Sequence, residues 1–468
     1  MPLSAIAFWL VYCGGVATAT IVPLVGVLLY VLVYHINPEY QWWGESVRSL
    51  GLRTSMTIVL AIAVGLLLRR PRFGGVGRQF SLPIAGAIGL ALLAVASLTW
   101  GYGLSERGAF QAEKLLKVMI FVLILIRCVR QPRDYQLVII AWLCGIFYIG
   151  YEAFGNVGVH RDGRLSTGLG GPDFAESSDL AVHLVASLPL IGAMFFMARR
   201  WWSRGVILLT GALAVNTLIM TRTRNAIFGL AAIVIAAALS LPKGYRLKGW
   251  AAMIAGMLLA LQLTDPGWWG RMRTTIDYAQ DASASDRIRF WEAALAMSAD
   301  HPFGIGLGNF HEVVQEYVPG ISIARSAHNS YLECLAEIGV PGLLMLLLIL
   351  IVTLRRLTRI RRLDDACAGE LIDIGYWQAR FHIGWHAMAL RTALIGYLAC
   401  AVFTTRLWAE DFWILIGLAA CLANVHAYAR CQSEVAVPEA QIASSGAIAA
   451  CRDAEHAGAQ AESWGARA

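Results

Sequence analysis

Two kinds of side chain in this sequence could do chemistry: a histidine in a polar run, and arginines gathered between apolar blocks. The run 326–343 reads Ser-Ala-His-Asn-Ser-Tyr-Leu-Glu-Cys-Leu-Ala-Glu-Ile-Gly-Val-Pro-Gly-Leu. Its His328 has an ordinary pKa of about 6.5, so it accepts a proton at neutral pH, which a weak hydroxyl nucleophile requires. A lone histidine is more often structural, so its neighbours decide. Asn329 adjoins it, and Glu333 and Glu337 fall one helical turn apart. That spacing lets the carboxylates orient His328 or an arginine, or merely start a helix or form a salt bridge.

The arginines are Arg161, Arg164, Arg222, Arg224, Arg271, Arg273, Arg287, Arg289 and Arg325. A guanidinium binds phosphate through paired hydrogen bonds and keeps its charge. The run Thr221-Arg222-Thr223-Arg224-Asn225 joins two apolar blocks with no room for a loop. Arg222 and Arg224 are two apart, so on a helix they point to nearly opposite sides and only one faces a shared cavity.

The elements that must position these groups are membrane helices. The chain has 468 residues, of which 58% are hydrophobic and 15% charged, against about 25% charged in soluble domains. The apolar residues come in blocks at approximately 5–34, 54–68, 82–99, 115–127, 136–154, 180–198, 205–221, 225–240, 249–263, 337–354, 388–405 and 411–429. Backbone groups in lipid must bond within the chain, so such blocks are helices. The first block is one helix kinked at Pro23, or two short ones, and reads as retained rather than as a cleaved signal. The expected fold is an all-α polytopic membrane protein with about twelve transmembrane helices, both termini cytoplasmic. Residues 1–430 form the transmembrane domain, 264–336 a large periplasmic loop containing short helices, and 431–468 a disordered cytoplasmic tail.

Basic clusters fall on every second connection: Arg69, Arg70, Arg72 and Arg78; Arg127, Arg130 and Arg133; Arg199, Arg200 and Arg204; Lys243, Arg246 and Lys248; then five arginines from Arg355 to Arg362. These mark the cytoplasmic side. The connections 35–53, 100–114, 155–179, 222–224, 264–336 and 406–410 are then periplasmic, and the nine arginines above lie on the wrong side. A charge at the edge of hydrocarbon costs several kcal/mol unless paired or facing a polar cavity. One such arginine snorkels readily; several converging make an anion site. The natural anion at that depth is the pyrophosphate of a polyprenyl lipid carrier, and helix N-termini would add to its field.

Other readings are set aside. The net charge of +7 follows from positive-inside clusters and does not indicate nucleic acid. Nine cysteines without a CxxC form neither a disulfide framework nor a zinc site; Cys13, Cys144, Cys400 and Cys421 read as small core residues. His382 and His386 have a spacing that could share a metal, but no third ligand accompanies them, and an amphipathic cytoplasmic or interfacial helix is favoured. Neither metal nor cofactor is expected. Asp286–Ala299 reads as a helix stopped by His301-Pro302, and Gly304-x-Gly306-x-Gly308 as turn chemistry. The pairs Trp42-Trp43, Trp201-Trp202 and Trp268-Trp269 read as interface anchors.

Four stretches, over about 160–345, together resemble the O-antigen ligase and O-antigen polymerase superfamily. They are Leu169-Gly-Gly-Pro-Asp-Phe-Ala175 with Leu188-Pro-Leu190; Thr221-Arg-Thr-Arg-Asn225; Arg287-Ile-Arg-Phe-Trp291 with His301-Pro-Phe-Gly-Ile-Gly-Leu-Gly-Asn-Phe310; and His328 to Gly339. Asp173 stands where the family commonly has asparagine, and Asn225 where it has glycine. Ile36-Asn37-Pro38-Glu39, with Trp42-Trp43-Gly44, is similar to the ligase branch associated with exosortase systems. The resemblance implies an inverting, metal-independent glycosyltransferase at the periplasmic face of a bacterial cytoplasmic (inner) membrane. It would carry a glycan from a polyprenyl-pyrophosphate donor to a hydroxyl on a lipid or protein acceptor. Arg224 and Arg287 would hold the pyrophosphate and His328 would deprotonate the acceptor. Arg164, Arg289, Asn329, Glu333 and Glu337 complete the expected substrate-binding set. A polymerase would use the same chemistry. A flippase or other transporter would place its charges near the bilayer midplane, whereas here they gather at one edge beside the loop.

Overall fold

The computed structural model describes residues 2–68, 82–155, 157–161, 163–167, 169–241, 243–264, 266–273, 282–320, 325–366, 372–373 and 380–436. The expected basic cluster Arg69–Arg78 and residues 437–468 lie outside these. The chain opens on α1 (Leu3–Ala19) and α2 (Pro23–Ile36), then α3 (Glu45–Ser49) and α4 (Thr54–Leu68). Next come α5 (Leu82–Ala96), α6 (Glu106–Cys128) and α7 (Pro132–Phe154). A small antiparallel hairpin, β1 (Val159–Arg161) with β2 (Arg164–Thr167), precedes α8 (Ser177–Met197), α9 (Trp201–Thr221), α10 (Arg224–Ser240) and α11 (Arg246–Leu263). α12 (Pro266–Arg273), α13 (Ala282–Asp300), α14 (Phe310–Tyr317) and α15 (Ser330–Ala366) follow. A two-residue pair, β3 (Ile372–Asp373) with β4 (Arg380–Phe381), leads to α16 (Ile383–Cys400) and α17 (Glu410–Ala436).

Among the described residues, 6 helices are long and apolar enough to cross a membrane: Leu82–Thr99, α7, α8, α9, Ser330–Asp364 and Glu410–Ala429. Helices α1, α4 and α10 are apolar but shorter. Large apolar side chains such as Leu10, Leu67, Leu239 and Leu247 stand exposed on the bundle, as lipid-facing surfaces do.

One open alternative is decided and several expectations are corrected. The first block is two helices: after a turn at Thr20–Val22, Gly15 lies against Leu29 and Gly26 against Ala19. That pairing makes an antiparallel hairpin, not one kinked helix. Residues 106–114, read as loop, are the first turns of α6, whose start Ser105 caps by accepting from Gly108 N–H at 3.1 Å. Cys13 and Cys144 are exposed rather than core residues, while Cys400 and Cys421 are buried. His386 is buried against Phe381 and Tyr135 instead of lying on an amphipathic surface. Trp43 is buried against Phe8 rather than anchored at an interface. Helix α17 continues through 431–436, the start of the segment read as a disordered tail.

The bundle is organised around α8, α16, α17, α2 and α7, whose buried residues form one continuous core. A second, smaller core lies under the large loop. There Phe290 and Met297 of α13, Phe310 and Val314 of α14, Ile305, Ala327 and Ala336 pack together. This cap joins the bundle through α15, which is broken at Gly339, where φ is 79° and ψ −175°. Only glycine adopts such angles cheaply, and Pro341 could not donate in an unbroken helix. The break strands backbone groups, and the run 302–306 takes them up. Ile305 N–H donates to Ala336 O at 2.9 Å, Gly306 N–H to Glu337 O at 3.0 Å, and Val340 N–H to Pro302 O at 2.9 Å. The glycine-rich run is thus a strap stitched to a helix break, a more specific role than a turn.

Candidate functional site

Four helix starts meet at one end of the bundle. The first residues of α15 rest on the last of α16: Ser330 N–H donates to Ala401 O at 2.9 Å, and Ser330 Oγ–H to Thr404 O at 2.8 Å. Asn225, at the start of α10, donates to Ser178 O near the start of α8 at 3.3 Å. Thr404 Oγ1–H donates to Asp179 Oδ1 in α8 at 3.1 Å, and Arg406 leads into α17. Helix N-termini carry partial positive charge and unpaired N–H groups, so several together favour an anion.

His328 lies here, in a left-handed conformation with φ of 48°. A non-glycine residue adopts this only where surrounding contacts impose it, at roughly 1–2 kcal/mol. The contacts are visible on both sides. After it, Asn329 caps α15, its Oδ1 accepting from Tyr331 N–H at 3.0 Å and Leu332 N–H at 3.1 Å. Before it, buried Glu333 Oε2 accepts from Ala327 N–H at 2.9 Å and Thr405 Oγ1–H at 2.6 Å. Trp291 Nε1–H fixes Ala327 O at 3.0 Å. Burial pushes the His328 pKa down, Arg287 and Arg325 push it further down, and Glu176 opposes them. The imidazole is therefore the free base at neutral pH and open to accept a proton.

The arginines divide by position. Arg164 Nε–H donates to Thr221 O at 2.8 Å, and its guanidinium also reaches Ser177 Oγ, so it ties the β-hairpin to the ends of α9 and α8. Arg222 turns through a left-handed φ of 47°, and its guanidinium lies against Gly163 and Gly267. Arg224 begins α10 two residues later. The sharp turn, not a continuous helix, separates the two. Arg287 and Arg325 lie within electrostatic reach of His328. Ser177 follows Glu176, whose carboxylate is within electrostatic reach of His328. Arg289 points away: it is exposed and donates to Pro319 O at 3.2 Å. Among the expected substrate-binding residues, Asn329 is occupied as a cap. Glu337 is buried under the strap, where it accepts from Phe310 N–H at 3.4 Å. The side chains of Arg161, Arg271 and Arg273 lie outside the described ones.

The sequence reading passed over the group that holds these helix ends together. Arg406, only 3% exposed, pairs with Asp411 at 2.6 Å and with the carbonyl of Asp173. Asp411 also pairs with His183 at 3.1 Å, and His183 Nε2 lies 3.1 Å from His35 Nε2. Asp173 binds Lys114 and accepts from Tyr34 Oη–H at 3.2 Å; Glu410 accepts from Tyr30 Oη–H at 3.0 Å. Buried charges persist only when paired, so this network fixes α2, α6, α8 and α17 at the site end. Arg406 lies in a connection assigned to the same side as the other arginines, and that was the available signal. Among the described residues, no cluster of three or more His, Cys, Asp or Glu side chains could hold a metal ion.

Fold and site together define a multi-pass α-helical membrane protein with a histidine and arginines at one end of its bundle. Residues 208–347, from within α9 past His328 into α15, match the family model described as O-antigen ligase. That match supports the O-antigen ligase superfamily, as the residues quoted above led one to expect. No curated protein sequence matches the chain.

Proposed function

We propose that this protein is a membrane glycosyltransferase that moves a glycan from a polyprenyl-pyrophosphate carrier to a hydroxyl of a lipid or protein acceptor. The acceptor oxygen attacks the anomeric carbon opposite the carrier, and its proton passes to His328. The carbon–oxygen bond to the pyrophosphate breaks, the electron pair leaves with the pyrophosphate, and the configuration inverts. Arg224 and Arg287 offset the charge that grows on the leaving group, aided by the starts of α8 and α10. Arg164, bonded to Thr221 O and Ser177, shapes the same edge. The reaction face is the periplasmic face of a bacterial inner membrane. The observation that carries this reading is an imidazole held in a left-handed backbone conformation, with Arg287 and Arg325 within electrostatic reach, where helix starts converge.

The test is transfer by purified, lipid-reconstituted protein from a lipid-linked glycan donor. His328→Ala should lose transfer by about 10²–10⁴-fold while still binding donor. Wild-type turnover by that variant would remove His328 as the base. Surface-glycan analysis of a deletion strain separates ligase from polymerase. Loss of attached glycan with long lipid-linked chains marks the ligase; accumulated single repeats mark the polymerase.

A further inference from the structure

At the far end of the cap from His328, an open cavity of about 400 Å³ is lined by Trp100, Gly101 and the run Asp300–Gly304. From the geometry we infer that this cleft binds the glycan portion of a substrate, as an oligosaccharide subsite that positions the chain for transfer. The inference rests on the glycan-transfer reading above.

The cleft is built rather than incidental. Gly101, with φ of 66°, lies flat on the backbone of Ile305, and Gly304, with φ of 88°, lies flat on Glu337 and Gly339. A side chain at either position would collide with backbone. The Trp100 Nε1–H donates to Phe303 O at 2.9 Å, which joins the two walls. Rings lie at the opening: Trp100, His301 and Phe303 line it, Phe303 is 70% exposed, and Tyr102 stands edge-on to His301 at 5.7 Å. Carboxylates rim it. Asp300 accepts from Tyr317 Oη–H at 2.9 Å, and Glu316 from Tyr102 Oη–H at 2.7 Å. Exposed rings with carboxylate acceptors suit a neutral, hydroxyl-rich ligand that has apolar C–H faces. The same carboxylates oppose an anionic phosphate, so the carrier diphosphate and anionic lipid headgroups are poor occupants.

Its place fits that occupant. Helix α13 and the first segment of α15 run side by side, with Arg287 and His328 at one end and Asp300 and Gly339 at the other. The residues from Ser330 to Ile338 span about 12 Å at 1.5 Å per residue. The cleft therefore sits a short oligosaccharide's length from the base, on the rim formed by the end of α5.

The probe is the oligosaccharide released by mild acid from the lipid-linked glycan pool, which carries neither phosphate nor lipid. It is titrated calorimetrically into full-length protein in detergent. Wild type and His328→Ala should bind it equally, and Phe303→Leu, which keeps bulk but removes the ring, about tenfold more weakly. In transfer assays Phe303→Leu should raise KM for a long-glycan donor about tenfold, with a smaller rise for a single-repeat donor and kcat held. Equal binding by Phe303→Leu, or no binding by wild type, overturns the inference. So does a loss confined to retention on anionic phospholipid vesicles, which would make the cleft a membrane contact. If His328→Ala turns over normally while oligosaccharide binding still depends on Phe303, the cleft stands and the reaction reading falls.

Discussion

Replacing Glu333 by alanine should disable His328 without touching it. Glu333 Oε2 accepts from Ala327 N–H at 2.9 Å and from Thr405 Oγ1–H at 2.6 Å. Each donor left buried and unpaired costs about 1–3 kcal/mol. That loss is comparable to the roughly 1–2 kcal/mol stored in a left-handed non-glycine residue. Once the restraint is gone, the 327–329 segment relaxes and the strain favours a different His328 backbone. A bias of about 1–2 kcal/mol leaves roughly one molecule in 5–30 competent. Turnover should therefore fall by about that factor, less than for His328→Ala. Glu333→Gln, whose amide oxygen can accept both bonds, should recover much of it. The assay is kcat and KM for both variants in reconstituted membranes: kcat should fall while donor KM changes little. A Glu333→Ala enzyme with wild-type kcat and intact thermal stability would refute the positioning role.

Arg287→Gln removes a positive charge that helps hold the His328 pKa down. The imidazole then protonates more easily, so the acid limb of the kcat/KM profile should move to higher pH; an unmoved limb would separate Arg287 from the base. Arg224→Lys should lower transfer, because a point charge cannot reproduce a paired guanidinium contact; unchanged activity would remove Arg224 from the donor site. Arg406→Met leaves Asp411 buried without its cation, which should cost about 3–5 kcal/mol, read as a marked drop in unfolding temperature in detergent.

The helical architecture was legible because lipid leaves a buried backbone few options, and apolar block length reports that directly. The turn between α9 and α10 was legible for the same reason: two arginines cannot sit inside a span without a polar break. Less visible was the break at Gly339, embedded in an apolar run that reads as one helix. Gly339 followed by Val-Pro was the cue, but the strap that makes the break tolerable comes from residues about 35 positions earlier, paired through backbone alone. His328 was singled out by its neighbours in sequence, yet Asn329 and Glu333 brace its segment through backbone hydrogen bonds that side-chain types do not announce. The Arg406 network had no local signal beyond one charge: Tyr30 and Glu410 are joined across 380 positions. Proximity of that kind follows from packing, not from spacing.

The break in α15 also divides the molecule mechanically. Ala327 and Ala336 share an apolar cluster with Phe290 and Met297, so the imidazole is carried by the cap. Arg222 and Arg224 ride on the α9–α10 corner of the bundle. His328 and Arg287 thus belong to the cap and Arg224 to the bundle, so their mutual geometry is set at the seam between the two. Loosening the cap interior, as by trimming Met297, should slow turnover by moving His328 and Arg287 together against the α9–α10 corner.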